Sequence, residues 1–317
     1  QQRAASSRAQ YLHGLVPMRA EAGGPFMDSP RNASSAALVA ARGRLSSTTT
    51  VVTHRDGHRT VEKAGAVIGT LSPPAVLPPA LQLEPTFALP ELGFELRPMP
   101  VDSLRVLSWN VWFAPQNADT RIAALFTEAL EQQPDAICLQ EVVPELAASV
   151  RKSAALRRMY SVSPHEVGAY GCLLLVRHEL RAEFDQVSFP SNMGRSLLVA
   201  RCTPPPSERP FALATVHLES LNSARLRAAQ LEVCRDALKP YDRAVLCGDF
   251  NFDSTQNFGD WRPKRKDFEA RWRAKQDLEN SVLARVLPDY VDVWPAIHPD
   301  KPGHTFDGGG KTEGGGR

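Results

Sequence analysis

No uninterrupted apolar stretch of about 18 residues occurs in the 317-residue chain, so no segment has the make-up of a membrane-spanning helix. Cysteine is sparse. Its five copies stand at 138, 172, 202, 234 and 247, and no two form a CxxC pair of the metal-binding type. Four of the five lie in apolar, strand-like runs. Buried reduced thiols are therefore expected, and with them an intracellular protein. The Asn32-Ala33-Ser34 sequon is then read as unused. Net charge is small as well, at +2. Residues 1–100 carry ten Lys/Arg and seven Asp/Glu, and residues 101–317 carry twenty-seven and twenty-eight. That balance excludes a basic protein that coats nucleic acid but leaves room for a local basic groove. Residues 1–20 contain no acid and are rich in Arg, Ala and Ser. Two readings fit, an organellar transit peptide and a disordered tail, and the tail is preferred. The chain opens on Gln1 rather than methionine, so a missing or processed beginning is expected.

What is present is ordinary for a soluble globular protein: 43% hydrophobic and 23% charged residues. Residues 1–50 show no sustained periodicity. The Asp56-Gly57 pair predicts a hairpin between Thr50–His54 and Arg59–Lys63. Residues 71–100 are proline-rich and read as an extended linker. The expected organisation is a largely disordered, low-complexity extension over 1–100 and a folded domain over 101–317.

From Leu104 the pattern changes. Leu104–Asn110 reads as a strand, Thr120–Gln132 as an amphipathic helix burying Ile122, Leu125, Phe126, Ala129 and Leu130, and Ala136–Leu139 as a buried strand. A helix is expected over Pro144–Arg158, strands over Gly171–Arg177, Ser196–Arg201 and Phe211–Val216, a helix over Ala224–Leu238, and a strand over Arg243–Cys247. Lys266–Leu287 reads as helical, with Phe268, Trp272, Leu278, Val282 and Val286 spaced for burial. The mixture of βαβ units and consecutive strands predicts two sheets with helices outside.

Four of these strands run into polar residues: Asn110, Gln140-Glu141, His217 with Glu219, and Asp249 with Asn251. Taken singly, each has an ordinary reading as a turn cap, a surface acid, a structural histidine or an Asx turn. Four coincident strand ends in one domain point instead to a convergent site, since α/β sheets place their chemistry at carboxyl ends. Two carboxylates, two amides and an imidazole suit one Mg²⁺ and one phosphate.

Ser108-Trp109-Asn110, Leu139-Gln140-Glu141-Val142, His217-Leu218-Glu219-Ser220 and Gly248-Asp249-Phe250-Asn251 together resemble the endonuclease/exonuclease/phosphatase superfamily. The His-Leu-Glu-Ser form, Val291-Asp292-Val293-Trp294 and Gly303-His304-Thr305-Phe306-Asp307 resemble its tyrosyl-DNA phosphodiesterase branch, which cleaves 5′-phosphotyrosyl bonds. The resemblance covers about residues 103–310. It implies a four-layer α/β sandwich of two packed mixed sheets flanked by helices, and a Mg²⁺-dependent phosphodiesterase, with Mn²⁺ as a substitute ion. By the same resemblance Glu141 is the metal ligand with Asn110 beside it, Asp249 orients the attacking water, and Asn251 holds that water or the phosphate. His217 contacts the scissile phosphate. Ser220, Tyr170, Arg195 and Trp294 are candidate substrate-side residues. For Tyr170 and Arg195, a packed ring and a solvated guanidinium weigh about equally against those roles.

One family element is missing. The resemblance implies a Ser-Asp-His motif near the end of the domain, and the sequence contains none. The chain is thus expected to be C-terminally truncated or, second, a pseudoenzyme, and in either case to have little or no hydrolytic activity. A basic run, Trp261–Lys266 with Arg271, Arg273 and Lys275, reads as a DNA-backbone contact or as a solvated helix face. The implied substrate is a DNA 5′ end carrying a tyrosyl adduct, acted on by a monomer in DNA repair, in the nucleus or after organellar targeting. The alternatives are another branch of the superfamily (abasic-site endonuclease, deadenylase, phospholipid or inositol phosphatase) and a catalytically dead binding scaffold.

Overall fold

The computed structural model of the chain describes residues 86–90, 97–99, 103–206, 209–254, 257–258 and 277–301, together with the backbone of four strands between 38 and 72. Those four are β1 (Leu38–Ala40), β2 (Thr49–Thr53), β3 (Arg59–Lys63) and β4 (Ala66–Ser72). The expected hairpin is formed by β2 and β3, with Thr49 opposite Lys63 and Thr53 opposite Arg59.

The domain then proceeds through β5 (Val106–Asn110), α1 (Ala118–Glu131), β6 (Ala136–Val142), α2 (Pro144–Lys152), α3 (Ala154–Met159), β7 (Tyr160–Val162) and β8 (Gly171–Arg177). It continues with β9 (Glu183–Ser188), β10 (Ser196–Cys202), β11 (Phe211–His217), α4 (Ala224–Leu238) and β12 (Ala244–Asp249). After Glu279 come α5 (Ser281–Val286), β13 (Tyr290–Asp292) and α6 (Val293–Ile297).

Two sheets result. One has the order β5-β6-β8-β7. The other is built on β12-β11-β10-β9, continued by β1 and β13 beyond β12 and by β4, β3 and β2 beyond β9. Both are mixed. β5 runs parallel to β6 with Asn110 opposite Gln140, and β11 runs parallel to β12 with His217 opposite Asp249. Each sheet thus carries one parallel βαβ unit, through α1 and through α4. Each unit delivers two strand carboxyl ends to the same edge.

The core has three layers of apolar contact. Cys138, Leu174, Val176, Leu198, Ala200, Leu213 and Cys247 fill the space between the sheets. Ile122, Phe126 and Leu130 of α1 and Leu146 and Val150 of α2 cover one outer face. Leu231, Cys234 and Leu238 of α4, with Val282 and Val286 of α5, cover the other. This is the four-layer sandwich that the resemblance implies, and strands enclosed on both faces explain why β11 is apolar at most of its positions. The five cysteines are free thiols, and burial pushes Cys172 and Cys202 up to about 12.

Two differences from the expected elements have local causes. The helix expected over 144–158 is broken at Ser153, whose extended backbone lets its hydroxyl accept from Leu156 N at 3.3 Å and cap α3. The helix expected over 266–287 is described only as α5. Phe268 and Trp272 lie outside the described residues, as do the basic run from Trp261, the segment from Gly303 and most of the proline-rich stretch.

Gly248 sets the exit of β12. Its φ is +133°, and a Cβ there would sit 2.0 Å from the carbonyl oxygen of Val216 on the neighbouring strand. Neither the dihedral nor the space admits a side chain. Gly248→Ala is expected to destabilise the fold by about 2–3 kcal/mol, read as a lower urea midpoint at unchanged slope.

Candidate active site

The strand ends meet across the two sheets. Asn110 Nδ2 donates to Glu141 Oε1 at 3.1 Å and to Asp249 Oδ2 at 2.8 Å, so one amide bridges two carboxylates. The orientation of that amide is fixed from behind, because Asn110 Oδ1 accepts from Trp112 N at 2.9 Å. His217 Nε2 faces the same pair, 3.8 Å from Glu141 Oε1 and 3.7 Å from Asp249 Oδ2.

Local backbone geometry aims these groups. The pairing of β6 with β8 shifts register between Leu139 and Val142, and Glu141 sits there with φ 59°. A non-glycine residue in that region costs about 1 kcal/mol or more, and a bulge of this kind re-aims a side chain. Glu141 Oε2 then accepts from Phe113 N at 3.1 Å. Asp249 Oδ1 accepts from Asn251 N at 2.9 Å, and Asn251, itself at φ 55°, donates from Nδ2 to Leu218 O at 2.9 Å. Asparagine tolerates this conformation better than most residues. Gln140 points between the sheets rather than into the site and donates to Thr215 Oγ1 at 3.0 Å.

A second ring of residues holds the first. Arg195 is buried, with 6% of its surface exposed, and its Nη1 donates to His217 Nδ1 at 2.8 Å. Its Nη2 donates to Ser220 Oγ at 3.1 Å and Tyr170 Oη at 3.3 Å, and the guanidinium lies 4.9 Å over the Tyr170 ring. Buried Glu219 accepts from Ser191 Oγ at 2.6 Å, Asn192 N at 2.9 Å and Gln230 Nε2 at 3.1 Å. Burial alone would raise the Glu219 carboxyl. Those donors, with Arg195, outweigh it and hold the group below the usual carboxylate range. Glu219 thereby fastens the turn before β10 that presents Arg195, since Ser191 Oγ also accepts from Arg195 N at 3.0 Å. For His217, burial is the largest influence and lowers its pKa. Asp249 and Glu141 pull it up, and Arg195 pushes it down.

All of the first-choice residues (Asn110, Glu141, His217, Asp249, Asn251) therefore lie together, as do Ser220, Tyr170 and Arg195. Arg195 is buried rather than solvated, and Tyr170 is packed while also lining the site. Two neighbours escaped sequence reasoning. Phe113 acts through a backbone N–H, for which the sequence carries no signal. Its ring, half-exposed, stacks on Tyr170 with centroids 4.7 Å apart and 7° between planes. Glu219 was visible as a strand-end acid, but its turn-holding role depends on Ser191 and Gln230, distant in sequence.

The Trp294 backbone N donates to Asp292 Oδ1 at 3.3 Å, its indole N–H to Lys301 O at 3.0 Å, and its ring lies 4.6 Å from that of His298. Those contacts stay within its own segment. Burial raises the Asp292 carboxyl from 3.8 to about 6, against the Trp294 N–H that lowers it. The folded chain thus binds more protons than the unfolded one between those two values, so Asp292 makes stability fall as pH rises through that window. Asp292→Asn keeps a capping oxygen and is expected to stabilise by up to about 2 kcal/mol at pH 8, with no gain below pH 4. Thermal melts at the two pH values check it.

The fold and the site define an α/β sandwich with carboxylates, amides and an imidazole gathered at its strand ends. A model of the Endonuclease/Exonuclease/phosphatase family matches residues 107–311, well over half of the chain, and the chain belongs to that family. No curated protein matches it. Similar solved structures include TDP2 (tyrosyl-DNA phosphodiesterase 2) from C. elegans, at 26% identity over 49% of this chain and 50% of that one, TM-score 0.42. D. rerio TDP2 complexed with single strand DNA product matches at 29% identity over 46% and 60%, TM-score 0.40. The human Nocturnin catalytic domain with bound sulfate matches at 22% over 48% and 66%, TM-score 0.39. The chain spans about half the length of the C. elegans protein.

Proposed function

We propose that this chain is a divalent-metal-dependent phosphodiesterase acting on 5′-phosphotyrosyl bonds at DNA ends. The observation that carries the reading is the Asn110 amide bridging Glu141 and Asp249, two carboxylates from different sheets, with His217 facing both. The His-Leu-Glu-Ser run at 217–220 supports the tyrosyl-DNA branch over the others.

The donor set fits a hard cation. Glu141 offers carboxylate oxygen and Asn110 stands beside it. Among the described residues no three His, Cys, Asp or Glu side chains are arranged to hold a metal by themselves. The ion would therefore keep several waters, as Mg²⁺ does, and Mn²⁺ would substitute. When bound, the metal supplies charge neutralisation at the phosphoryl oxygens and at the leaving oxygen. Asp249, oriented by Asn110 and the Asn251 N–H, is placed to align a water and accept its proton. His217 contacts the phosphate, and Asn251 holds the water or the phosphate. The water oxygen bonds to phosphorus, the phenolic oxygen leaves with tyrosine, and the 5′-phosphate stays on the DNA. The half-exposed Phe113 ring on Tyr170 provides a stacking surface at the mouth.

No Ser-Asp-His occurs in the 317 residues, and we expect turnover by them to be slow. The chain would act as a monomer in the nucleus. A substrate panel tests the reading: a 5′-phosphotyrosyl oligonucleotide, an abasic-site duplex, oligoadenylate and an inositol phosphate. Mg²⁺-dependent release of tyrosine from the first alone is expected. Preference for any other substrate would reassign the branch.

A further inference from the structure

We infer that Arg195 is a positioning residue that locks His217 into the neutral tautomer with its proton on Nε2. The inference rests on the proposed phosphoryl-transfer reading only for its consequence; the tautomer itself follows from the geometry. A guanidinium has five donors and no acceptor. Its Nη1 lies 2.8 Å from His217 Nδ1, so that nitrogen must present its lone pair and accept. The proton of a neutral imidazole then resides on Nε2, the nitrogen that faces Glu141 and Asp249.

Everything around Arg195 opposes the other arrangement. The guanidinium cannot turn away, because Ser220 Oγ and Tyr170 Oη hold its second nitrogen and the Tyr170 ring lies against its face. Its backbone is tied to Ser191 Oγ, and Ser191 to buried Glu219. His217 is itself 2% exposed, so water does not compete for Nδ1. The groups facing the imidazole are Arg195 on one side and Glu141 and Asp249 on the other, with Glu219 further off.

The mechanistic consequence is a division of labour. With its proton on Nε2, His217 is a hydrogen-bond donor toward the site and offers no lone pair there. It can hold a phosphoryl oxygen but cannot take the proton of the attacking water, which leaves Asp249 as the only one of the two able to act as base. A histidine with the opposite tautomer would reverse those roles.

The test is two-bond ¹H–¹⁵N correlation on the chain labelled with ¹⁵N-histidine, near neutral pH, with His217→Gln assigning the signals among the eight histidines. The wild-type chain is expected to show the Nε2–H pattern for His217. An Nδ1–H pattern, or a doubly protonated ring, overturns the inference. Arg195→Met keeps an apolar stem against Tyr170 but removes the donor, and is expected to relax His217 to a mixture of tautomers. An unchanged Nε2–H pattern in that variant removes Arg195 as the cause. Should Arg195→Met not fold, the wild-type spectrum still decides. Nothing in this readout depends on turnover, so an inactive substrate panel leaves the tautomer standing, and a wrong tautomer leaves the proposed reaction standing.

Discussion

Glu141→Ala is expected to lower any metal-dependent hydrolysis by this chain on the order of 10²–10³-fold, since a bound cation contributes several kcal/mol to phosphoryl transfer. The loss would fall on kcat as well as on the metal requirement. Glu141 is the carboxylate best placed to hold an ion: one oxygen takes the Asn110 amide and the other the Phe113 N–H. Its backbone is held in the left-handed region by the bulge in β6. That conformation costs stability wherever the residue is not glycine, so removing the carboxylate should not unfold the chain. A fall in turnover with an unchanged melting temperature is the expected pair of results. Equal turnover in the variant would remove Glu141 from the chemistry.

Arg227→Met carries the largest expected effect on stability, a loss of about 3–5 kcal/mol. Arg227 is fully buried in α4. Its Nη1 donates to Glu219 O at 2.7 Å and Leu221 O at 2.8 Å, and its Nε and Nη2 meet the two Glu279 oxygens at 2.5 and 2.7 Å. One side chain therefore joins α4, the turn that follows His217 and the segment leading into α5. Methionine replaces the volume but leaves the Glu279 carboxylate and two carbonyls without their donor. Adding Glu279→Leu should recover part of the loss, because the uncompensated charge is then gone. Urea denaturation of both variants measures it, and a single-variant loss under about 1 kcal/mol would show that water replaces the arginine.

These two residues mark the limits of what the sequence discloses. Glu141 was legible because parallel strands enclosed on both faces read as apolar runs, and the polar residues that follow such a run stand out. The same logic exposed Asn110, His217 and Asp249, and the face of α1 emerged from its 3.6-residue period. Arg227 was not legible, for it sits in a polar stretch of α4 and its burial depends on Glu279, fifty-two positions away. β9 was missed for a related reason: Asp185 occupies a buried position in it, so Glu183–Ser188 lacks the apolar signature of its neighbours. The break at Ser153 was hidden because serine is ordinary within a helical pattern, and only its cap to Leu156 distinguishes it. Arg195 was placed near the site by its position ahead of β10, while its bond to His217 needed the turn held by Glu219.

Asn110, Glu141, His217 and Asp249 are expected to form one site for a divalent cation and a phosphoryl group. Titration of the full chain with Mn²⁺, followed by electron paramagnetic resonance with Mg²⁺ as competitor, checks this. One Mn²⁺ displaced by Mg²⁺, bound by the wild-type chain and lost in Glu141→Ala, is the predicted result. Equal binding by both chains, or none by the wild type, would contradict it.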